Sequence, residues 1–203
     1  MSNDDIEGST DNSLAQRWLA DVVRIDEAVY AAVARTPTPA LDVRLGQLSR
    51  AADRSKLWMG TAAVLAVVGG RRGRRAAAQG LVCVAANSAV VNLFVKPLGR
   101  RHRPDRVGAQ VPELRHVRMP RSPSFPSGHS ASAFAFAFGV GHRLPAAGLP
   151  LHALAGVVAY SRVHTGVHFP GDVVVGSMLG TALAQVTAGL TDGWADRYLG
   201  PRA

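Results

Sequence analysis

Residues 76–95 read AAAQGLVCVAANSAVVNLFV, an uncharged run that ends where Lys96 begins the most polar part of the chain. As an α-helix this run would rise about 30 Å, the thickness of the hydrocarbon core of a bilayer. Four further apolar stretches lie at about 57–70, 130–142, 146–160 and 172–190, and clusters of arginine, glycine and proline separate them. Hydrophobic residues make up 47% of the chain against 18% charged, and their arrangement in blocks points to lipid as the main solvent. Only 76–95 and 172–190 approach the roughly 20 residues that cross a bilayer unaided; the others need helical polar flanks or local thinning. Gly176, Gly180 and Ala184 recur four apart, as do Ala131, Ala135 and Gly139. That spacing lets helix backbones approach closely in lipid, although abundant alanine and glycine would also produce it. The pattern predicts an all-α fold, a multi-span membrane bundle of about five transmembrane helices.

The chain of 203 residues fits one domain. Its first twelve residues are acidic and polar and read as a disordered leader, not as a cleavable signal peptide. Ser13 to Gln16 has the capping-box pattern, and Leu14, Trp18, Val22, Ile25 and Val29 follow at helical spacing. Pro37 and Pro39 stop this helix, and a second amphipathic helix carries Leu41, Leu45 and Leu48 on one side. The expected organisation is therefore a leader over 1–12, amphipathic N-terminal helices over 13–54, a membrane core over 55–192 and a tail over 193–203.

The formal charge is +9, and Lys56 and Lys96 are the only lysines, so arginine supplies nearly all the cations. A basic chain meets nucleic acid, anionic lipid or a phosphorylated substrate, and the apolar blocks favour the last two over nucleic acid. Cys83, the sole cysteine, lies in an apolar run. An internal disulfide and a cysteine-based metal site are thereby excluded, and a buried small residue is the expected role.

Polar chemistry gathers in three clusters. The segment from Lys96 to His129 holds Lys96, His102, Arg103, Arg115 and five more arginines, with only Asp105 and Glu113 against them. Taken alone it reads as a solvated basic loop near anionic head groups. Pro126, Ser127, Gly128 and His129 stand just before the third apolar stretch. A glycine and the free N–H groups of a first helical turn can cradle an anion, and the same residues would also serve as an ordinary cap. The third cluster is Ser161, Arg162, His164, His168 and Asp172. A carboxylate that accepts one ring N–H of a histidine fixes its tautomer and frees the other nitrogen to attack; a structural pairing is the alternative. If each apolar stretch crosses once, the second ends, the third begins, the fourth ends and the fifth begins on one face, so all three clusters meet there.

These residues resemble the type 2 phosphatidic acid phosphatase superfamily, whose signature is K-x6-R-P, P-S-G-H and S-R-x5-H-x3-D. Lys96, Arg103 and Pro104, then Pro126 to His129, then Ser161, Arg162, His168 and Asp172 fill every signature position, over roughly residues 57–190. The resemblance implies a helical fold and a phosphatase that needs no metal or organic cofactor. By it, Lys96, Arg103, Ser127, the backbone N–H of Gly128 and Arg162 would bind the phosphate. His168 would be the nucleophile that carries phosphorus, Asp172 would orient it, and His129 would protonate the departing oxygen. His102, His116 and His164 match no signature position and are expected to be loop residues. Arg100, Arg101 and Arg106 are expected to contact head groups or to support the motif residues.

The expected partner is a phosphorylated membrane lipid: phosphatidic acid or phosphatidylglycerophosphate, a polyprenyl diphosphate, or a polyprenyl-linked sugar phosphate. Vanadate-dependent haloperoxidases share the signature and form one alternative; a non-catalytic binder of lipid phosphate is another, which would not need a nucleophile. Arg71, Arg72, Arg74 and Arg75 between the first two stretches favour a cytoplasmic location for that end, which places the motif face outside the cell membrane. Close packing of small residues would also allow a homo-oligomer.

Overall fold

A computed structural model describes the backbone of residues 3–199 and the side chains of residues 14–192. It has seven α-helices and, among the described residues, no strand. These are α1 (Asn3–Arg35), α2 (Pro39–Ala51), α3 (Lys56–Val68), α4 (Gly70–Val90), α5 (Gly128–Arg143), α6 (Pro145–His164) and α7 (Pro170–Leu199). Each of the five apolar stretches forms a helix, as the block pattern predicts. A wider π-turn, Val91–Val95, extends α4 to Lys96. Among the described residues, two segments, Gly70–Leu98 and Pro170–Asp192, are long and apolar enough to cross a membrane. By contrast α3 has 13 residues and rises only about 20 Å.

Helix α5 is the axis and packs on α4, α6 and α7. Its seam with α7 is built on missing side chains: a Cβ at Gly176 would lie 2.5 Å from the carbonyl oxygen of Ser127, and one at Gly180 would lie 2.1 Å from that of Ala131. The four-residue spacing of small residues is thus the contact surface of two helices, with Ala131, Ala135 and Ala184 wholly buried in it. On the other side of α5, Trp58 and Phe136 meet with ring centroids 5.3 Å apart in a core completed by Val140, Leu151 and Val158. Cys83 is buried, as expected.

The N-terminal region departs from expectation in three ways. The leader, expected to be disordered over 1–12, is helical from Asn3 onward. No proline precedes Pro37, and acidic residues near a helix start complement its dipole. Residues 1 and 2 lie outside the described residues, as do 200–203 of the expected tail, whose earlier part continues α7 to Leu199. Secondly, the apolar stripe of α1 does not face the bundle: Trp18, Val22, Ile25 and Val29 are exposed, and the helix docks through Asp26, Tyr30 and Ala34, one turn apart from each other. Thirdly, α2 buries Asp42 and Ser49 beside Leu45, while Leu41 is exposed. Both helices turn polar side chains inward because what they cover is polar.

Arg115, read from sequence as part of a solvated loop, is fully buried. Its Nε donates to Asp42 at 2.8 Å, and its terminal nitrogens donate to the carbonyls of Val33, Ala34 and Thr36, the last turn of α1. A cation at a helix C-terminus is favourably placed, and here it pins the basic loop under the α1–α2 corner. His164 is also buried, at the end of α6, between Thr38 at 2.9 Å and Asp42 at 3.2 Å.

Substituting Gly180→Ala drives a methyl group into an α5 carbonyl. It should destabilise the fold by about 1–3 kcal/mol, the usual cost of overpacking. Thermal melting of purified protein in detergent checks this, with Gly156→Ala, where a Cβ meets nothing within 4 Å, expected to melt no lower than wild type.

Candidate active site

Three chain segments converge at one end of the bundle. Lys96 follows the π-turn of α4, Ser127 to His129 open α5, and Arg162, His168 and Asp172 span the α6–α7 connection. The α5 and α7 ends are tied directly: the N–H of Ser127 donates to the carbonyl of Asp172 at 2.9 Å. Ser127 caps α5 and is fully buried, accepting from the N–H and hydroxyl of Ser130. Gly128 lies against Lys96, whose Nζ would stand 3.5 Å from a Cβ there.

His168 is 2% exposed. Its Nδ1 is 3.4 Å from an Asp172 oxygen, and its Nε2 is 3.2 Å from a terminal nitrogen of Arg103. Since Arg103 can only donate, Nε2 must accept, and the proton of the neutral ring sits on Nδ1, facing the carboxylate. Burial pushes the imidazole pKa down to about 4, and the charges of Arg103 and Arg162 add to that shift while Asp172 opposes it. The ring is therefore neutral at physiological pH, with its lone pair directed at the cationic group.

Among the described residues Arg103 has no carboxylate partner in hydrogen-bonding contact. Its donors go to the carbonyls of Ser122, Pro123 and Val167 and to the hydroxyl of Ser122, which Lys96 also approaches at 3.4 Å. Asp172, by contrast, is saturated: Ser124 and the N–H of Phe169 donate to one oxygen and Arg101 to the other at 3.0 Å. Arg101 also pairs with Asp26 of α1 at 2.6 Å and lies 4.1 Å over the ring of Phe169.

Arg162 is buried on α6 and donates to the carbonyl and hydroxyl of Ser49. Its Nε is buried without a hydrogen-bond partner. Asp53, in the turn between α2 and α3, accepts from Nε2 of His129 at 2.9 Å and lies 3.8 Å from Arg162. The bond to His129 is the main reason the Asp53 carboxyl is held below the usual carboxylate range.

All eight residues named from sequence thus gather in one connected region. Sequence reasoning missed Asp53, Asp26, Ser49, Ser122 and Ser124, none of which lies in a motif, and gave Arg101 no defined partner. The first three come from the N-terminal segment, which precedes the stretch that carries the signature. A signal existed for Asp26 in the four-residue steps from it to Tyr30 and from Tyr30 to Ala34, but that stripe is less hydrophobic than the one beside it.

Residues 76–194 match the model of the PAP2 superfamily. The chain is 33% identical over 174 residues to decaprenylphosphoryl-5-phosphoribose phosphatase of Mycobacterium tuberculosis, covering 85% of this chain and 92% of that protein. It is 32% identical over 161 residues to the enzyme of the same name from Mycolicibacterium smegmatis, covering 78% and 84%. Among solved structures, a transmembrane PAP2-type phosphatidylglycerolphosphate phosphatase from Bacillus subtilis superposes with a TM-score of 0.64 at 23% identity, covering 85% of this chain and 87% of that one. LpxE of Aquifex aeolicus gives 0.62 at 20% identity, over 80% and 93%. At these identities the two structures speak for the fold alone. The chain belongs to the PAP2 superfamily. It is a phosphatase.

The neutral state of His168 can be measured. In ¹⁵N-histidine NMR of the purified protein its Nε2 should remain unprotonated from pH 8 to about pH 5, and Asp172→Asn, which removes the one adjacent charge favouring the protonated ring, should move the midpoint further down. A midpoint near the ordinary histidine value would contradict the geometry.

Proposed function

We propose that the protein removes the terminal phosphate from a polyprenyl-linked sugar phosphate through a phosphohistidine on His168. The observation that carries this reading is the placement of His168 between Asp172 on Nδ1 and Arg103 on Nε2. A phosphate entering beside Arg103 would take over donors that now meet neutral carbonyls, satisfy the orphaned Nε of Arg162, and bring phosphorus to the Nε2 lone pair. Lys96, Arg103, Ser127, the N–H of Gly128 and Arg162 then hold the equatorial oxygens and stabilise their charge in the transition state.

Attack forms the N–P bond as the P–O bond to the organic group breaks. The departing oxygen takes a proton from His129, whose protonated ring Asp53 steadies from Nε2, which leaves Nδ1 as the donor. Asp172 offsets the positive charge that develops on His168. In the second step His129 accepts a proton from water, the resulting hydroxide attacks phosphorus, the N–P bond breaks, and phosphate and free His168 are restored.

The choice of lipid follows the named activity of the mycobacterial relatives, which align over most of their own length. Five spans of a cell membrane fit the exposed apolar side chains of the shorter helices as well, Val67 and Val68 on α3 and Leu149 on α6 among them. Arg71, Arg72, Arg74 and Arg75 are exposed at the end of α4 remote from Lys96, which supports a cytoplasmic hairpin and an extracytoplasmic site.

Release of phosphate from a polyprenyl-phosphoryl pentose phosphate by the detergent-purified protein tests the reading. Wild type should turn it over, and His168→Ala should lose at least about 10⁴-fold of kcat, as expected when a nucleophile is removed. Equal release by both proteins would end the proposal.

A further inference from the structure

Beside His129 lies a cavity of about 330 Å³, most of whose polar walls the phosphate chemistry leaves without a role. It shares Lys96, Gly128 and His129 with the phosphate site, and its other polar walls come from the α2–α3 turn (Arg54, Ser55), from α4 (Ser88), from the π-turn that extends it (Asn92) and from α5 (Ser132). None of these five occupies a signature position. On the reading given above, the general acid stands at the departing oxygen, so whatever that oxygen carries must occupy the space next to His129. The apolar grooves of the molecule, along Phe134 and Met178 and along Phe138 and Leu149, are not lined by His129.

The walls are chemically distinctive. Three hydroxyls and a carboxamide line a volume at the lower end of the ~300–1,000 Å³ typical of small-molecule sites. Asn92 is exposed and lines this cavity, between Val91 and Leu93 of an otherwise apolar segment, and a polar side chain set in such a segment marks a functional position. Its N–H group is engaged with the carbonyl of Ser88 at 2.8 Å, which leaves the carboxamide oxygen as an acceptor for a hydroxyl. Behind Ser132, the buried Asn87 donates to the serine hydroxyl at 3.5 Å and keeps a carboxamide oxygen without a partner. The turn that supplies Arg54 and Ser55 is strained, since both residues have left-handed backbones (φ 53° and 59°) although neither is glycine. Such strain costs about 1–3 kcal/mol per residue and collects at ligand sites.

From these walls we infer that the cavity is the leaving-group subsite and binds a hydroxylated sugar ring, with Arg54 facing the phosphodiester that joins the sugar to its lipid. The inference rests on the proposed phosphatase reading and assigns its selectivity to Ser88, Asn92, Ser132 and Arg54. Hydroxyl and carboxamide groups hold a sugar by neutral hydrogen bonds, and a site built for such bonds discriminates against ligands that leave them unpaired. A diacylglycerol offers no ring hydroxyls to these walls.

The test uses the full-length protein in detergent with two probes, a polyprenyl-phosphoryl pentose 5-phosphate as substrate and orthovanadate as an inhibitor that reads the phosphate site and the fold. Asn92→Leu should raise KM for the phosphosugar lipid by about tenfold, the equivalent of one or two hydrogen bonds, with kcat within about threefold. Arg54→Gln should do the same, and more strongly at low ionic strength. Vanadate inhibition should stay within about twofold of wild type in both variants. Unchanged KM overturns the assignment, and so does a parallel loss of vanadate affinity, which would show a structural effect. If wild type leaves the phosphosugar lipid intact yet hydrolyses another lipid phosphate, the substrate reading itself fails, an outcome separate from either of these.

Discussion

Arg103 donates to three backbone carbonyls, a serine hydroxyl and an imidazole nitrogen and, among the described residues, to no carboxylate. Much else in the structure is arranged around that fact. A guanidinium removed from water needs partners, and a carboxylate, the obvious one, would also neutralise its charge. The nearby acids are occupied instead. Asp172 and Asp26 share Arg101, and Asp42 takes Arg115. Neutral dipoles satisfy the geometry of Arg103, and the opposing charge of Asp172 acts on it without a direct hydrogen bond. Burial, together with the field of Arg103, keeps His168 unprotonated, so a cationic pocket and a neutral imidazole arise from one arrangement.

The arrangement depends on a helix seam. Gly176 and Gly180 bring α7 onto the backbone of α5, and at the end of that seam Ser127 and Asp172 are joined main chain to main chain. The N-terminal turn of α5 and the carboxylate beside His168 are consequently fixed to each other by packed backbone, not by a mobile loop. The N-terminal helices close the region from the other side. Ser49 holds Arg162, Asp53 holds His129, and Asp26 accepts from the N–H of Gly171 and holds Arg101.

The helical core was legible because its signal is composition in blocks, which survives any detail of packing. The motif residues were legible because their order and spacing are specific. What escaped was of a different physical kind. Asp26, Asp53 and Ser49 lie in segments whose polar residues look like solvated faces, and only the tertiary fold shows that those faces cover a buried cationic site. Arg115 escaped for the converse reason, since nothing local distinguishes an arginine that caps a helix far away in sequence from its solvated neighbours. The apolar stripe of α1 was correctly seen as a stripe, but periodicity does not say what it meets, and in the fold Trp18 and Ile25 face outward.

The central claim is that phosphorus is transferred to His168. Rapid acid-free quenching of the enzyme during turnover of a ³²P-labelled lipid phosphate, followed by proteolysis and mass spectrometry at alkaline pH, tests it most directly. The account predicts an acid-labile, base-stable phosphoryl group on the peptide that contains His168, absent from His168→Ala. Turnover with no label on that peptide, or label on His129 instead, would contradict it.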